Sequence, residues 1–463
     1  MFNFPGGKRI VNSILLMALS SASVYSQKPF LSLSALNDSA DHYLPRLLEK
    51  RALVNSAVAS VTEARHEFLP AVRFNDQVNL GSDNSIAGSY FPYGIVPSTS
   101  SGVRAANDYQ ASSGNLAILY GEYDLFDFGY KNARIEYARS GQALSQSDLQ
   151  REMYILHGRI CKAYFNLVIS EARMAIEQET VKRYDTIFTI IHALTTSGIK
   201  PGSDSSLAKA ELSKSRITYN QLNELARNYR EEISYLTGVP AKAILPDTVL
   251  MIIGKKKNIL NTSADTTTNP LIDYYASLSK LYTANERMIS KSYLPKIYLT
   301  AASWARGSSI VYDDQYQSVA NGFGYQRFNY LAGVSFQYDL FNGVHKKDRL
   351  KTFGFEKEAA DLELRQQQVS LASATRQAQN SIDITEKNLL ELPIQYQAAV
   401  DTYNQKIAQY KAGIITLIDL TNAAFVLDRS LNDYAETRGN WYLAQLDKAL
   451  ATGQLAGFIQ SIQ

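Results

Sequence analysis

Tyr123-Asp124-Leu125-Phe126 recurs as Tyr338-Asp339-Leu340-Phe341, 215 positions later. The reading of the chain follows from that repeat. Gly198 with Asp204 six residues on returns as Gly413 with Asp419, and Thr237-Gly238 as Thr452-Gly453, at the same offset. Upstream of the motif the offset is 225: Leu69-Pro70 matches Leu294-Pro295 and Pro45 matches Pro270. All the slippage falls between Leu-Pro and Tyr-Asp-Leu-Phe. Two length-conserving blocks around one variable loop are the mark of an internal structural repeat. The boundaries read as residues 27–238 for the first copy, 239–269 for a Pro- and Thr-containing linker, and 270–463 for the second copy.

The variable regions read as strands. After Pro70, Val72, Phe74, Val78 and Leu80 alternate with Arg73, Asn75, Gln77 and Asn79, with Asp76 the one exception on the apolar side. The second copy alternates more softly through Ile297, Leu299 and Ala301. Residues 331–341 put Val334, Phe336, Tyr338 and Leu340 on one face, and Gly333, Ser335, Gln337 and Asp339 on the other. The stretch 114–126 is less clean, since Leu116 and Ile118 oppose Leu119 and Tyr123. Period-two segments about ten residues long suit tilted membrane strands. Gly- and Ser-rich loops near 81–113 and 305–329 join them, so each copy supplies a hairpin and the chain supplies four strands.

The remainder reads as helix. Residues 131–196 contain no proline, and Leu149, Met153, Leu156, Ile160, Ala163 and Leu167 step as a heptad seam. A rod of that length reaches about 100 Å. The matching rod, 345–411, contains Pro393, which either kinks it or follows a local break. Gly198 and Gly413 supply left-handed stops. Ser203 or Asp204 caps the first returning helix, and the second has no early cap other than Asp419. Each returning helix runs about 34 residues to Thr-Gly. A further helix of about 24 residues follows Pro270, so each rod pairs with two shorter helices end to end.

Composition bounds the function. Lys plus Arg (47) nearly balance Asp plus Glu (44), which excludes a nucleic-acid-binding charge excess. The 30 tyrosines suit either membrane–water boundaries or helix seams. Lys8-Arg9, the apolar stretch 10–19 and the small residues up to Ser26 read as a secretory signal over 1–26. Cys161 is the only cysteine, which leaves no intrachain disulfide and no lipid-bearing cysteine at the cleavage site. No apolar run is long enough for a transmembrane helix. His42, His66, His157, His192 and His345 are scattered, Gly254-Lys255-Lys256-Lys257 lacks phosphate-loop spacing, and Asp313-Asp314 reads as a solvated loop pair. Cys161 reads as a packed thiol. Neither enzyme, cofactor nor metal is expected.

The doubled layout, Leu-Pro before the first strand, Tyr123 through Gly129 leaving it, the two Gly-x5-Asp turns and Asp419-Leu420-Thr421-Asn422-Ala423 together resemble the TolC-like outer-membrane efflux proteins. The resemblance covers the chain beyond residue 26. It implies a mixed α/β membrane protein of a Gram-negative outer membrane. In it a homotrimer closes a twelve-stranded transmembrane β-barrel, four strands per chain, continued by a long periplasmic α-helical barrel. It further implies an exit duct of a tripartite efflux or type I secretion system, whose partners are a periplasmic adaptor and an inner-membrane pump. The strand count independently requires oligomers, because four strands cannot close a barrel and open edges in lipid are not tolerated. A non-transporting envelope coiled-coil scaffold and an outer-membrane adhesin or enzyme are the rival readings.

By the same resemblance, Gly198, Pro201, Asp204, Gly413 and Leu417 are adaptor-contact candidates at the periplasmic tip. Asp419, Asn422 and Ile415 are pore-constriction candidates. Tyr123, Asp124, Leu125, Phe126, Tyr338, Asp339, Leu340 and Phe341 form the barrel exit. Asp419 is either a helix cap or one third of a carboxylate ring whose mutual repulsion raises its pKa. Ile415 stands where the family often carries an arginine, so apolar packing of Ile414, Ile415, Leu417 and Ile418 replaces a charged lock.

Overall fold

The computed structural model describes residues 32–82, 84, 105–247, 269–312 and 315–462. The expected signal segment 1–26, Gly254 through Lys257, Asp313-Asp314 and most of the first hairpin loop lie outside them. The chain divides into two compact units: residues 49–151 with 270–368, and the stretches up to 48, 152–269 and 369–463.

The first unit holds a four-stranded antiparallel sheet in the order β1-β2-β3-β4, with β1 at Ala71–Gly81, β2 at Ser112–Phe126, β3 at Lys296–Ser308 and β4 at Arg327–Gln337. The register puts Phe74 opposite Leu119, Leu119 opposite Ser303, and Ser303 opposite Tyr330. Directly opposed residues share a face. One face therefore carries Val72, Phe74, Val78, Leu80, Leu119, Leu299, Phe328, Tyr330, Val334 and Phe336, all exposed. The other carries Arg73, Asn75, Gln77, Asn79, Glu122, Arg306, Arg327 and Asn329, interspersed with Leu116, Ile118, Tyr120, Trp304 and Leu331. Asp76, the exception on the apolar face, accepts a hydrogen bond from the Tyr325 hydroxyl at 2.8 Å.

Two expectations for this unit are corrected. β4 ends at Gln337, so Tyr338-Asp339-Leu340-Phe341 lies beyond the strand, whereas Tyr123 through Phe126 completes β2. The cause is pairing: β4 is an edge strand whose only partner starts at Lys296, opposite Gln337, while β2 stays paired with β3 across an irregularity between Asp124 and Phe126. The second loop is also less open than its composition suggests. Its short 3-10 segment, Val319–Phe323, folds over the end of β2. There the Ser113 hydroxyl donates to the Val319 carbonyl, and the Asn115 amide donates to that of Phe323 at 2.8 Å. A Cβ on Gly322 would lie 2.1 Å from the Ser113 hydroxyl oxygen, so only glycine allows this approach.

Among the described residues the α-helices are α1 (Leu33–Tyr43), α2 (Pro45–His66), α3 (Tyr130–Thr196), α4 (Gly202–Thr237), α5 (Pro270–Ser292), α6 (Asn342–Lys411), α7 (Leu417–Thr452) and α8 (Leu455–Ile462). The rods α3 and α6 have 67 and 70 residues, and the returning helices α4 and α7 have 36 each. No described helix is long and apolar enough to cross a membrane. Of the two expectations at Pro393, the local break is absent, since α6 runs through it as one helix.

In the second unit the heptad seam of α3 is buried at Leu156, Ile160, Ala163 and Leu167. Around it burial widens to Cys161, Tyr164, Phe165 and Val168, because α1 and α8 also join this unit. The Phe165 ring stacks on Tyr442 at 5.5 Å and meets Phe458 at 5.9 Å. Cys161 is fully buried, and burial pushes its thiol up to about 12. The front of the 239–269 linker is anchored as well. Ile244 is buried, and the Asp247 amide donates to the Tyr164 hydroxyl at 3.0 Å.

Candidate functional site: the paired helical turns

Both rods stop in the same way. Gly198 has φ +74° and Gly413 φ +75°. The Gly198 amide donates to Thr195 O and that of Ile199 to Leu194 O; Gly413 and Ile414 donate to Tyr410 O and Gln409 O. Each turn is a Schellman stop, in which a left-handed residue lets two amides satisfy the last carbonyls of the rod. The far ends of α4 and α7 match too, with Gly238 at φ +73° and Gly453 at φ +77°. The glycine anchors at the 215 offset are therefore positions that only glycine adopts without strain.

The caps differ from expectation. α4 begins at Gly202 with Pro201 as N-cap and no side-chain cap bond, so Ser203 and Asp204 lie inside the first turn, where Asp204 faces the positive end of the helix dipole. α7 does have an early cap. The Thr416 hydroxyl accepts from the Asp419 amide at 3.3 Å, while an Asp419 carboxylate oxygen accepts from the Thr416 amide at 3.1 Å. Asp419 thus sits at N3 of a capping box, the reciprocal arrangement that satisfies two orphan donors. The Thr416 hydroxyl also donates to that carboxylate oxygen at 2.7 Å. This bond first, and then the one from the Thr416 amide, hold the Asp419 carboxyl below the usual Asp value. Within one chain they act against the rise expected from a carboxylate ring. The signal was legible as Thr416-x-x-Asp419.

Behind the turns, Tyr184, Ile187 and Ile191 of α3, Ala208 and Leu212 of α4, Tyr410 of α6, and Leu417, Leu420 and Ala424 of α7 form one apolar cluster, with Ile415 packed against it. Leu417 is only 2% exposed, so within this chain its side chain offers no contact surface and instead seats the start of α7. Ile415 likewise turns toward the core. Ile199, Ile414 and Ile418 are exposed, as are Gly198, Pro201, Gly413, Asp419 and Asn422. Lys200 lies over the Tyr410 ring at 5.4 Å.

Further along the helices is a polar layer that the sequence did not announce. Asp428 pairs with Arg183 and accepts from the Thr180 hydroxyl at 3.0 Å. Glu177 accepts from the Ser215 hydroxyl at 2.8 Å. Both carboxyls are buried, and burial raises both pKa values despite the nearby arginines. The one available signal was an acid inside the apolar rhythm of α7, after Leu420, Ala424 and Leu427. Among the described residues no group of His, Cys, Asp and Glu could hold a metal ion.

A four-stranded sheet with one exposed apolar face, and two long helices that each stop at a glycine turn, are the features of a channel subunit of the outer-membrane type. The family model described as outer membrane efflux protein matches residues 38–239 and 276–454, and the chain belongs to that family. It is accordingly an outer-membrane protein. The chain is 22% identical over 467 aligned positions to outer membrane protein TolC of Escherichia coli K12, spanning 97% of this chain and 87% of that one. Among solved structures, the outer-membrane channel OprN superposes with a TM-score of 0.72 at 17% identity, covering 91% of this chain and 90% of that one. The outer membrane protein VceC of Vibrio cholerae gives 0.72 at 14% identity, covering 91% and 96%. These likenesses concern the TolC-like fold, and the family assignment rests on the matched stretches.

Proposed function

We propose that three copies of this chain close a twelve-stranded barrel and act as a passive exit duct through the outer membrane. The observation that carries this reading is the sheet. It has four strands, two unpaired edges in β1 and β4, and one face of exposed Val, Leu, Phe and Tyr. An open edge in lipid leaves backbone groups without partners, and each costs several kcal/mol in hydrocarbon, on the order of 2–7. Pairing β1 of one copy with β4 of the next removes that cost and turns the Arg73-to-Arg327 face inward.

On this reading residues 1–26 are a secretory leader, the helices lie in the periplasm, and 27–238 and 270–463 are the two repeats around the 239–269 linker. The glycine turns form the periplasmic tip, where Gly198, Pro201, Asp204 and Gly413 meet a periplasmic adaptor coupled to an inner-membrane pump. Asp419 and Asn422 line the mouth, and Ile415 and Leu417 hold the turn from behind. The duct performs no chemistry of its own and needs no cofactor.

The test is light scattering in mild detergent, planar-bilayer recording, and crosslinking from a cysteine at position 414. The native Cys161 is buried, so an Ile414→Cys variant has one reactive thiol. The expected results are a trimer, a conducting channel and an adduct with the adaptor. A protein that stays monomeric overturns the duct, and a conducting trimer with no adduct overturns the docking assignment.

A further inference from the structure

The polar face of the sheet is not evenly charged. At its loop end Arg306 of β3 stands directly opposite Arg327 of β4, and the same row continues through Leu116 to Gln77. Directly opposed like charges weaken a sheet. Both side chains are exposed. Among the described residues, the one side-chain hydrogen bond of either is from the Arg327 guanidinium to the Gln326 carbonyl, at 2.9 Å.

The described acids on this face are Glu122 and Asp124, at the rod end. Glu122 lies six residues along β2 from Leu116, or about 20 Å at strand spacing. That exceeds the screening length of about 8 Å in physiological salt. Glu122 also has a nearer cation, since Arg73 opposes Tyr120, whose hydroxyl donates to Glu122 at 3.0 Å. The rod-end charges therefore offset one another, and the loop-end pair is left uncompensated among the described residues. Its nearest same-face neighbours are Leu116, Trp304 and Asn329, with Gln77 and Asn79 one strand further on β1, and none of them carries a charge.

We infer that Arg306 and Arg327 form an anion site at the loop end of the lumen, taking a polyvalent oxyanion bearing phosphate or carboxylate groups. Guanidinium forks bind such groups with paired, charge-assisted hydrogen bonds. The site rests on the duct reading, because threefold closure turns this face inward and gathers three such pairs around one opening. Residue parity separates it from a lipid headgroup site, since the lipid-suited face is the opposite one.

The test is single-channel recording of the full trimer with inorganic tripolyphosphate as the probe, added from the loop side and then from the rod side. Wild-type channels should be blocked from the loop side, and block should weaken as salt rises. The Arg306→Gln/Arg327→Gln double variant should need about tenfold more tripolyphosphate, the loss expected for one charge-assisted bond. The Arg306→Lys/Arg327→Lys variant should retain most of the block, which separates charge from any change in folding. A conducting wild-type channel that tripolyphosphate does not block, or equal block of the wild-type and Gln channels, overturns the site and leaves the duct intact. A wild-type protein that forms no channel refutes the duct itself.

Discussion

At the residue scale, glycines of identical appearance in the sequence do different work. Gly413 has open space around its absent Cβ and a positive φ, so Gly413→Val is penalised only by the backbone, by about 1–2 kcal/mol. Gly439 is an ordinary helical residue, yet a Cβ there would come within 2.3 Å of Ile169 Cγ1. Gly439→Val should destabilise by a further ~1–3 kcal/mol through overpacking. Gly413→Val should assemble normally with altered exchange confined to the turn, while Gly439→Val should lower the melting temperature of the whole assembly. Asp428 offers a second test. Arg183→Ala would strand a buried carboxylate, at a cost of about 3 kcal/mol. Hydrogen exchange of α7 amides near Asp428 should rise accordingly. Spacing alone distinguishes none of these, because it carries no record of what faces each position across the bundle.

At the element scale, the start of α7 depends on Thr416 and Asp419. Removing the cap hydroxyl in Thr416→Ala should cost about 1 kcal/mol and speed exchange of the first-turn amides. The pH senses of the two acids on α7 are opposite. The Asp419 carboxyl is held below its ordinary value in the folded chain, so its contribution is complete above the unfolded Asp pKa and is lost as pH falls through the folded one. Asp428 is raised by burial, so the folded state holds its proton more tightly. Its environment is most favourable in acid and becomes less so as pH rises through the folded value. Acidification should therefore loosen the first turn of α7 while steadying the layer around Asp428, which exchange measured across the acidic range would resolve. Pro393 gives a third test. It lacks an amide inside a continuous helix, and Pro393→Ala should stabilise α6 by about 1–3 kcal/mol.

At the scale of the whole molecule, the single chain leaves apolar surface that a monomer has no use for. On α6, Phe355, Leu362 and Val369 recur every seven residues and are 61%, 59% and 58% exposed. A heptad stripe of this kind is the seam of helix association. In the proposed trimer these side chains are expected to meet the neighbouring copy, each contributing about 1.5–3 kcal/mol when fully buried. The triple variant Phe355→Ser/Leu362→Ser/Val369→Ser should shift light scattering from trimer toward monomer without unfolding the chain, seen as unchanged helical circular dichroism. A trimer of undiminished stability would place the interface on another face of the helices.

The sequence by itself determined the doubled plan, the four strands, the two rods and the glycine turns. Each rests on local physics: side-chain parity in a strand, heptad spacing in a helix, and a backbone angle open to glycine. The Tyr-Asp-Leu-Phe repeat marked equivalent places in the two copies. Whether each place is strand was decided by partners, since β2 has neighbours on both sides while β4 runs out of one at Gln337. The capping box was written in Thr416 and Asp419, and the bonds between them show the cap within one chain; a carboxylate ring would depend on neighbouring copies. Leu417 read as tip surface and proved to be core, because its burial depends on α3, α4 and α6 converging behind it. The Arg183–Asp428 pair joins residues 245 positions apart, and the Arg306–Arg327 pair exists only through strand register. Local rules act over a few residues and are legible in order along the chain. Burial and charge pairing are set by whatever the fold brings opposite, and only the tertiary structure decided those.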